Sequence, residues 1–231
     1  MKSPVLLDAG VVNRCRRRVH LEHDALALRP EAPTDPTAEQ RSTDAVAHRR
    51  TVADALSQLL GERWAEVPAD LPHAERMAMT RSLLDARAPA IWGGLLPADP
   101  AGGRRGGADL LVASRTGYLP VIVVRHKVTD PGSGARTAPL SDPGPGRARH
   151  DPHRKVRAQP RDQLRLAHAL RLLQAAGVAV PGRARGGVIG LDADVVVWHD
   201  LDAPTWPGGR TAMSEYDTRF ADRLAVAHAA A

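Results

Sequence analysis

The sequence predicts a mixed α/β fold, with a central sheet carrying helices on both faces, and three features lead to that class. Amphipathic segments with helical spacing come first. ADLLVA (108–113) and YLPVIVVRHKV (118–128) then read as strands with short continuous apolar runs and are separated only by the turn Arg115–Gly117, the pattern of an antiparallel hairpin. A helical segment, a strand-like segment and a last helical segment close the chain. Helices on either side of a strand pair favour a layered sheet over a sandwich or a bundle.

Taken in order, Asp8 is placed to cap a short helix with Val11, Val12, Cys15 and Val19 on roughly one side. RPEAPTDPTAEQ (29–40) is polar and Pro-rich and reads as a loop. Ser42 or Thr43 then caps DAVAHRRTVADALSQLL, which stops at Gly61. Val52, Ala55, Leu56 and Leu59 form its apolar stripe, and His48, four residues before Val52, points the same way. A second helix is expected over Ala74–Ala86 and a strand over AIWGGLL (90–96). From Thr129 to Pro160 the chain is rich in Pro, Gly, Arg and His without apolar periodicity, so a long, flexible basic loop is expected at about 129–160. PRDQLRLAHALRLLQAA has Pro160 in its first turn and Gly177 at its end. GGVIGLDADVVVWHDL gives one or two strands, with Asp192 and Asp194 in a turn, before a helix from about Ser214.

The 231 residues suit a single domain. Aromatics are 3% of the chain, so the core has to come from Leu, Val and Ala. The net charge of +6, from 32 basic against 26 acidic residues, permits attraction to phosphate backbones and equally fits a general drift toward Arg. Lys occurs only at positions 2, 127 and 155, so a Lys at a strand end stands out. The single Cys15 excludes an internal disulfide and an all-cysteine metal site. With no signal-peptide-like start and no apolar run of about 18 residues, a soluble cytoplasmic protein and no membrane partner are expected.

Alternation puts Val121, Val123, Arg125 and Lys127 on one side of the second hairpin strand. Asp109 opens the neighbouring strand, so Asp109 and Lys127 belong to the same end of the sheet.

This arrangement resembles the RecB-like nucleases of the PD-(D/E)xK superfamily. In that family a helix carries a His, a strand an Asp, the next strand ends in acid-x-Lys, and a following helix begins with a Gln. The matching places are His48 in DAVAHRRTV, Asp109 in GGADLLV, Lys127 in VVRHKV and Gln163 in RDQLRLAHAL. ARAPAIWGGLLPADPAGGRRGGADLLV also resembles the family's lead-in to its Asp, and the likeness runs from about Val5 to the final helix. It implies a restriction-endonuclease-like fold and metal-dependent hydrolysis of DNA, with single strands or duplex ends as substrate. A helicase or repair partner is not readable. By the same resemblance His48 and Asp109 would hold Mg²⁺ or Mn²⁺, which lowers the pKa of a bound water. Lys127 would stabilise the transition state and Gln163 would position strand or water.

Two departures stand out. Arg125 occupies the place of the motif acid, and a guanidinium there repels a close cation by several kcal/mol at an effective dielectric of about 20. Asp162 or Asp130 can supply the missing acid, Arg125 can bind substrate phosphate, or catalysis is lost and a nucleic-acid-binding domain remains. Second, some relatives bind a [4Fe–4S] cluster through one early and three late cysteines. Cys15 resembles the early one as an iron–sulfur remnant, but one Cys cannot hold a cluster, so none is expected in this chain.

Each of these residues also has a structural reading: His48 as a core histidine, Asp109 as a turn residue, Lys127 as a solvated edge charge and Gln163 as a helix-start residue. The run Arg147, Arg149, His150, His153, Arg154, Lys155, Arg157 and Arg161 can clamp a phosphate backbone or simply be solvated. His20, Glu22, His23 and Asp24 read as a solvated helix end. With so few aromatics, any nucleic-acid binding would be backbone-led.

Overall fold

The computed structural model describes residues 4–28, 35–192 and 194–231. Asp8 does cap the first turn, accepting from Gly10 N at 2.7 Å, but the turn is a 3₁₀ segment, Ala9–Asn13. Extended backbone at Arg14 and Cys15 separates it from α1 (Arg16–His23). Val11, Val12 and Val19 are all buried despite the break.

The next helix, α2 (Pro36–Leu60), begins earlier than expected. Asp35 caps it through Thr37 N, and Pro36 takes the first helical position, where its missing N–H and fixed φ are advantages. Its first turns are exposed, so no apolar stripe marked them; part of the expected Pro-rich loop is therefore helix. Gly61, at φ +55°, ends it as expected.

The chain continues through β1 (Trp64–Glu66), α3 (His73–Asp85), β2 (Ala90–Trp92), β3 (Leu95–Asp99), β4 (Arg104–Gly107), β5 (Leu110–Ser114) and β6 (Gly117–Val123). AIWGGLL is two strands, not one. Gly93 sits at φ +67°, and a Cβ there would lie 2.8 Å from Val67 O, so only glycine makes this corner. Beyond it β3 leaves the sheet and pairs with β4. The expected hairpin is present, with Leu110 opposite Val121 and Ser114 opposite Gly117.

The stretch 129–160 is not one loop. It carries β7 (Thr129–Pro131), β8 (Ala135–Pro139), β9 (Arg149–Asp151) and β10 (Arg154–Val156). These strands are three to five residues long and Pro- and Arg-rich, too short for alternation to register in the sequence. Then follow α4 (Pro160–Ala175), β11 (Arg185–Ile189), β12 (Val195–Asp200) and α5 (Ala212–Ala230), capped by Thr211 in a capping box with Ser214.

Among the described residues eight strands form one mixed sheet in the order β1-β2-β5-β6-β11-β12-β8-β9. The meander β2-β5-β6 is antiparallel, and α4 crosses over so that β11 runs parallel to β6. Trp92, Leu110, Val121, Val123 and Trp198 pack on one face with Val52 and Leu56 of α2. Ile122, Val188 and Val197 pack on the other with Leu166 and Leu170 of α4 and Tyr216 and Phe220 of α5. That two-faced burial explains the unbroken apolar run in β6. The β3–β4 hairpin is fastened to the helices by a buried polar chain. Arg104 Nε donates to Tyr216 Oη at 3.2 Å, and Tyr216 Oη lies 2.8 Å from His168 Nδ1. His168 Nε2 is 3.0 Å from Arg105 O. Among the described residues no helix is long and apolar enough to cross a membrane.

Candidate functional site

The end of the sheet where β6 stops and β5 starts gathers charged side chains from both helical layers. β6 ends at Val123, so Arg125, His126 and Lys127 lie beyond it rather than continuing its alternation. Three residues of the β11–β12 turn hold this exit in place. Asp192 accepts from Val128 N at 2.9 Å, Thr129 N at 2.8 Å and Thr129 Oγ1 at 2.7 Å. Leu191 N donates to His126 O at 3.1 Å. Gly190 lies so close that a Cβ would meet His126 O and Val128 within 2.8 Å.

Asp109 stands at the start of β5 and is 6% exposed. Its Oδ2 accepts from Val123 N at 2.7 Å, extending the β5–β6 ladder by a side chain. Arg49 of α2 forms an ion pair with Oδ1, and Arg165 of α4 approaches Oδ2 at 3.8 Å. Asp109 is thus clamped between a guanidinium from each helical layer.

His48 lies at the exit of β6, as its place on the α2 stripe implies. Burial lowers its pKa, the Arg125 charge lowers it further, and a hydrogen bond to the Val124 backbone works the other way, so the ring is neutral at pH 7. Its Nε2 is buried without a hydrogen-bond partner among the described residues. One turn earlier Asp44 pairs with Arg125 at 2.7 Å. From the opposite layer Asp162, itself buried, sits 2.7 Å from His126 Nε2. Lys127 is exposed and has no ion-pair partner among the described residues.

The three carboxylates are therefore all engaged by cationic or imidazole groups, and the basic groups outnumber them. Neither candidate replacement acid completes a set with Asp109: Asp162 faces His126, and Asp130 lies 3.8 Å from Arg157. No three His, Cys, Asp or Glu side chains converge among the described residues. A hard divalent cation takes about six ligands, mostly oxygens. One imidazole nitrogen and one carboxylate already shared by two arginines do not fit it.

The other expected residues fall in three places. Arg154 and Lys155 lie on β10, which pairs with β7 as a two-stranded ribbon leading directly out of the Lys127 segment, with Lys155 opposite Asp130. Arg154 is tied to Asp151 at 3.1 Å, and Arg157 follows just after the ribbon. Gln163 is engaged elsewhere, its amide oxygen accepting from Trp206 Nε1 at 2.8 Å. Arg161 and Cys15 line a separate cleft of about 680 Å³ between the N-terminal segment and α4, where Cys15 is an exposed free thiol.

Arg49, Arg165 and Asp44 are not singled out by the sequence, whereas Asp192 lies in the turn where the sequence puts it, without its bonding role being readable there. Of these, Asp44 carries a usable signal, since a helix face bearing His48 also carries its i−4 neighbour. Arg165 becomes visible only once the crossover is placed, and the contacts of Asp192 with Val128 and Thr129 only once the β11–β12 turn meets the exit of β6. Comparisons with protein-family models, with characterised proteins and with solved structures find no match for this chain.

Proposed function

We propose that this chain is a RecB-like domain of restriction-endonuclease-like fold that grips the phosphate backbone of DNA, as single strands or at duplex ends, where β6 leaves the sheet. The observation that carries this reading is the charge balance. Lys127 is exposed without an ion-pair partner among the described residues, Arg125 stands beside it, and the β7–β10 ribbon adds Arg154, Lys155 and Arg157, while each site carboxylate already has a basic neighbour. Such a surface attracts phosphates and opposes a divalent cation. Support for the family comes from order and adjacency: His48 on a helix, Asp109 at a strand start, Lys127 past the next strand and Gln163 in the first turn of the following helix. Without exposed aromatics at the site, binding is backbone-led and weakly sequence-specific.

A second reading, metal-dependent hydrolysis of DNA with Mg²⁺ or Mn²⁺, is favoured by one observation: the neutral His48 leaves Nε2 buried and unpartnered at the same sheet end as Asp109. It requires Arg49 and Arg165 to yield Asp109.

The test is fluorescence anisotropy of a labelled single strand between about 50 and 200 mM salt, with a Mn²⁺ cleavage assay on the same samples. Binding should survive chelator and Asp109→Asn. Lys127→Ala and Lys155→Ala should each weaken it and lower the salt slope by about 0.7. Absence of binding at the low-salt end sinks the proposal. Mn²⁺-dependent cleavage that disappears in Asp109→Asn and Lys127→Ala replaces it with the hydrolytic reading.

A further inference from the structure

At the opposite end of the sheet, about 20 Å away along the seven residues of β6, lies a second concentration of positive charge. The β5–β6 turn, the start of β11, and β8 with β9 surround a cavity of about 500 Å³. Arg136, Arg149, Arg183 and Arg185 line it together with Ser114 and Thr116. Among the described residues no carboxylate lines this cavity.

These arginines differ from those that serve the fold. Arg104 is paired with Asp99, Arg171 with Asp217, and Arg219 with Glu215. None of the four around the cavity has an ion-pair partner among the described residues. Two of them are oriented by backbone carbonyls. Arg136 Nη2 donates to Ala148 O at 3.2 Å, and Arg149 Nη1 donates to Gly146 O at 3.2 Å and Ala148 O at 3.3 Å. Each such bond uses one guanidinium nitrogen and leaves the others available. Arg136 and Arg185 also line an adjoining cavity of about 190 Å³, where Asp200 contributes the one carboxylate. That carboxylate accepts from Asp202 N at 3.0 Å.

We infer that the four-arginine cavity is a binding site for the diphosphate or triphosphate group of a small ligand. Four guanidinium groups around one cavity repel one another, and a polyanion relieves that repulsion. The planar fork of Arg matches phosphate oxygens two at a time, and the Ser114 and Thr116 hydroxyls add neutral donors. A cavity of about 500 Å³ is larger than one phosphate needs and lies within the range of small-ligand sites. Among the described residues no aromatic side chain lines it, so recognition rests on the phosphates and not on a stacked base. The inference does not rest on the DNA-binding reading, because none of the four arginines belongs to the site at the end of β6; Arg149 is shared only with the basic run of the sequence.

The experiment is isothermal titration of the full chain with pyrophosphate and, in separate arms, ATP and a single-stranded oligonucleotide. The variants are Arg183→Gln and Arg185→Gln, with Lys127→Ala as the control for the other end of the sheet. Thermal unfolding of each confirms an intact fold, and Arg183 is exposed and makes no side-chain bond among the described residues, so its replacement leaves packing untouched. Saturable pyrophosphate binding is expected, weakened about tenfold in each Gln variant and unchanged in Lys127→Ala. ATP binding as tightly as pyrophosphate, or more tightly, identifies a nucleotide's phosphate tail as a source; ATP binding more weakly identifies the free anion. No binding of pyrophosphate at millimolar concentration overturns the inference, as does equal binding by the Gln variants. Loss of oligonucleotide binding in those variants without any pyrophosphate binding also overturns it, by making the arginines part of a strand path.

Discussion

Arg125 Nη2 lies 2.7 Å from Asp44 Oδ2, joining the exit of β6 to α2. This pair explains how a guanidinium occupies the place where the resemblance puts an acid. It is held toward the helix while Arg49 and Arg165 take Asp109. Both partners are partly exposed, so the pair contributes at most about 0.5 kcal/mol to stability. Its larger effect is on where the positive charge is held. Asp44→Asn should leave the urea midpoint nearly unchanged, tighten single-strand binding severalfold at low salt, and steepen the salt slope by about 0.7 as Arg125 becomes available to phosphate. An unaltered slope in anisotropy titrations would mean that Arg125 never reaches the strand.

Asp109 is more consequential for the fold. Removing its carboxylate leaves Val123 N without its acceptor and two guanidinium groups without their shared anion. Asp109→Ala should cost about 2–4 kcal/mol in urea unfolding. Asp109→Asn keeps an oxygen for Val123 N and should cost less than half as much. Equal losses in the two variants would assign the stabilisation to charge alone and not to the ladder hydrogen bond.

Asp192 is expected to act on the site through Lys127. Burial pushes its pKa upward, but the hydrogen bonds from Val128 and Thr129 outweigh that and hold it below the usual value. Those same bonds fix the segment directly after Lys127. Asp192→Ala should destabilise the chain by about 1–3 kcal/mol and weaken strand binding. Adding Lys127→Ala to it should cost little further affinity, whereas additive losses would show that the two residues act separately.

The parts of this fold that sequence reveals are those whose pattern is long enough to repeat. α4, the β5–β6 hairpin and the stop of α2 at Gly61 fall where periodicity and capping put them, while the buried face of α2 is Val52, Ala53, Leu56 and Leu60, with Leu59 of the expected stripe exposed. The misreadings share a cause. The first turns of α2 bury nothing, the corner at Gly93 needs a backbone conformation that a run of apolar residues conceals, and β7 to β10 are held by neighbours distant in sequence. At the candidate site the adjacency of Asp109 to the end of β6 follows from hairpin geometry. The partners that set its charge balance, Asp44, Arg49 and Arg165, come from two helices on opposite faces. No local pattern encodes that meeting.

His168 offers a pH test of the same packing. Burial pushes its pKa from 6.5 down to about 4; Arg104 lowers it as well, while the Arg105 carbonyl bond and Asp8 work upward. Because the Arg105 carbonyl can only accept, Nε2 carries the proton and Nδ1 accepts from the Tyr216 hydroxyl, an arrangement open only to the neutral ring. The folded pKa is the lower one, so the unfolded chain binds the extra proton first. The stabilisation is complete above pH 6.5 and is lost as pH falls through 4. A separation of that size amounts to about 3 kcal/mol, with little screening since His168 is 1% exposed. His168→Gln keeps a donor and an acceptor but cannot titrate. Urea unfolding at pH 7 and pH 4 should show the unsubstituted protein losing about 3 kcal/mol more than the Gln variant. Matching losses would mean that the buried chain from Arg104 to Arg105 accommodates an imidazolium and does not depend on the neutral tautomer.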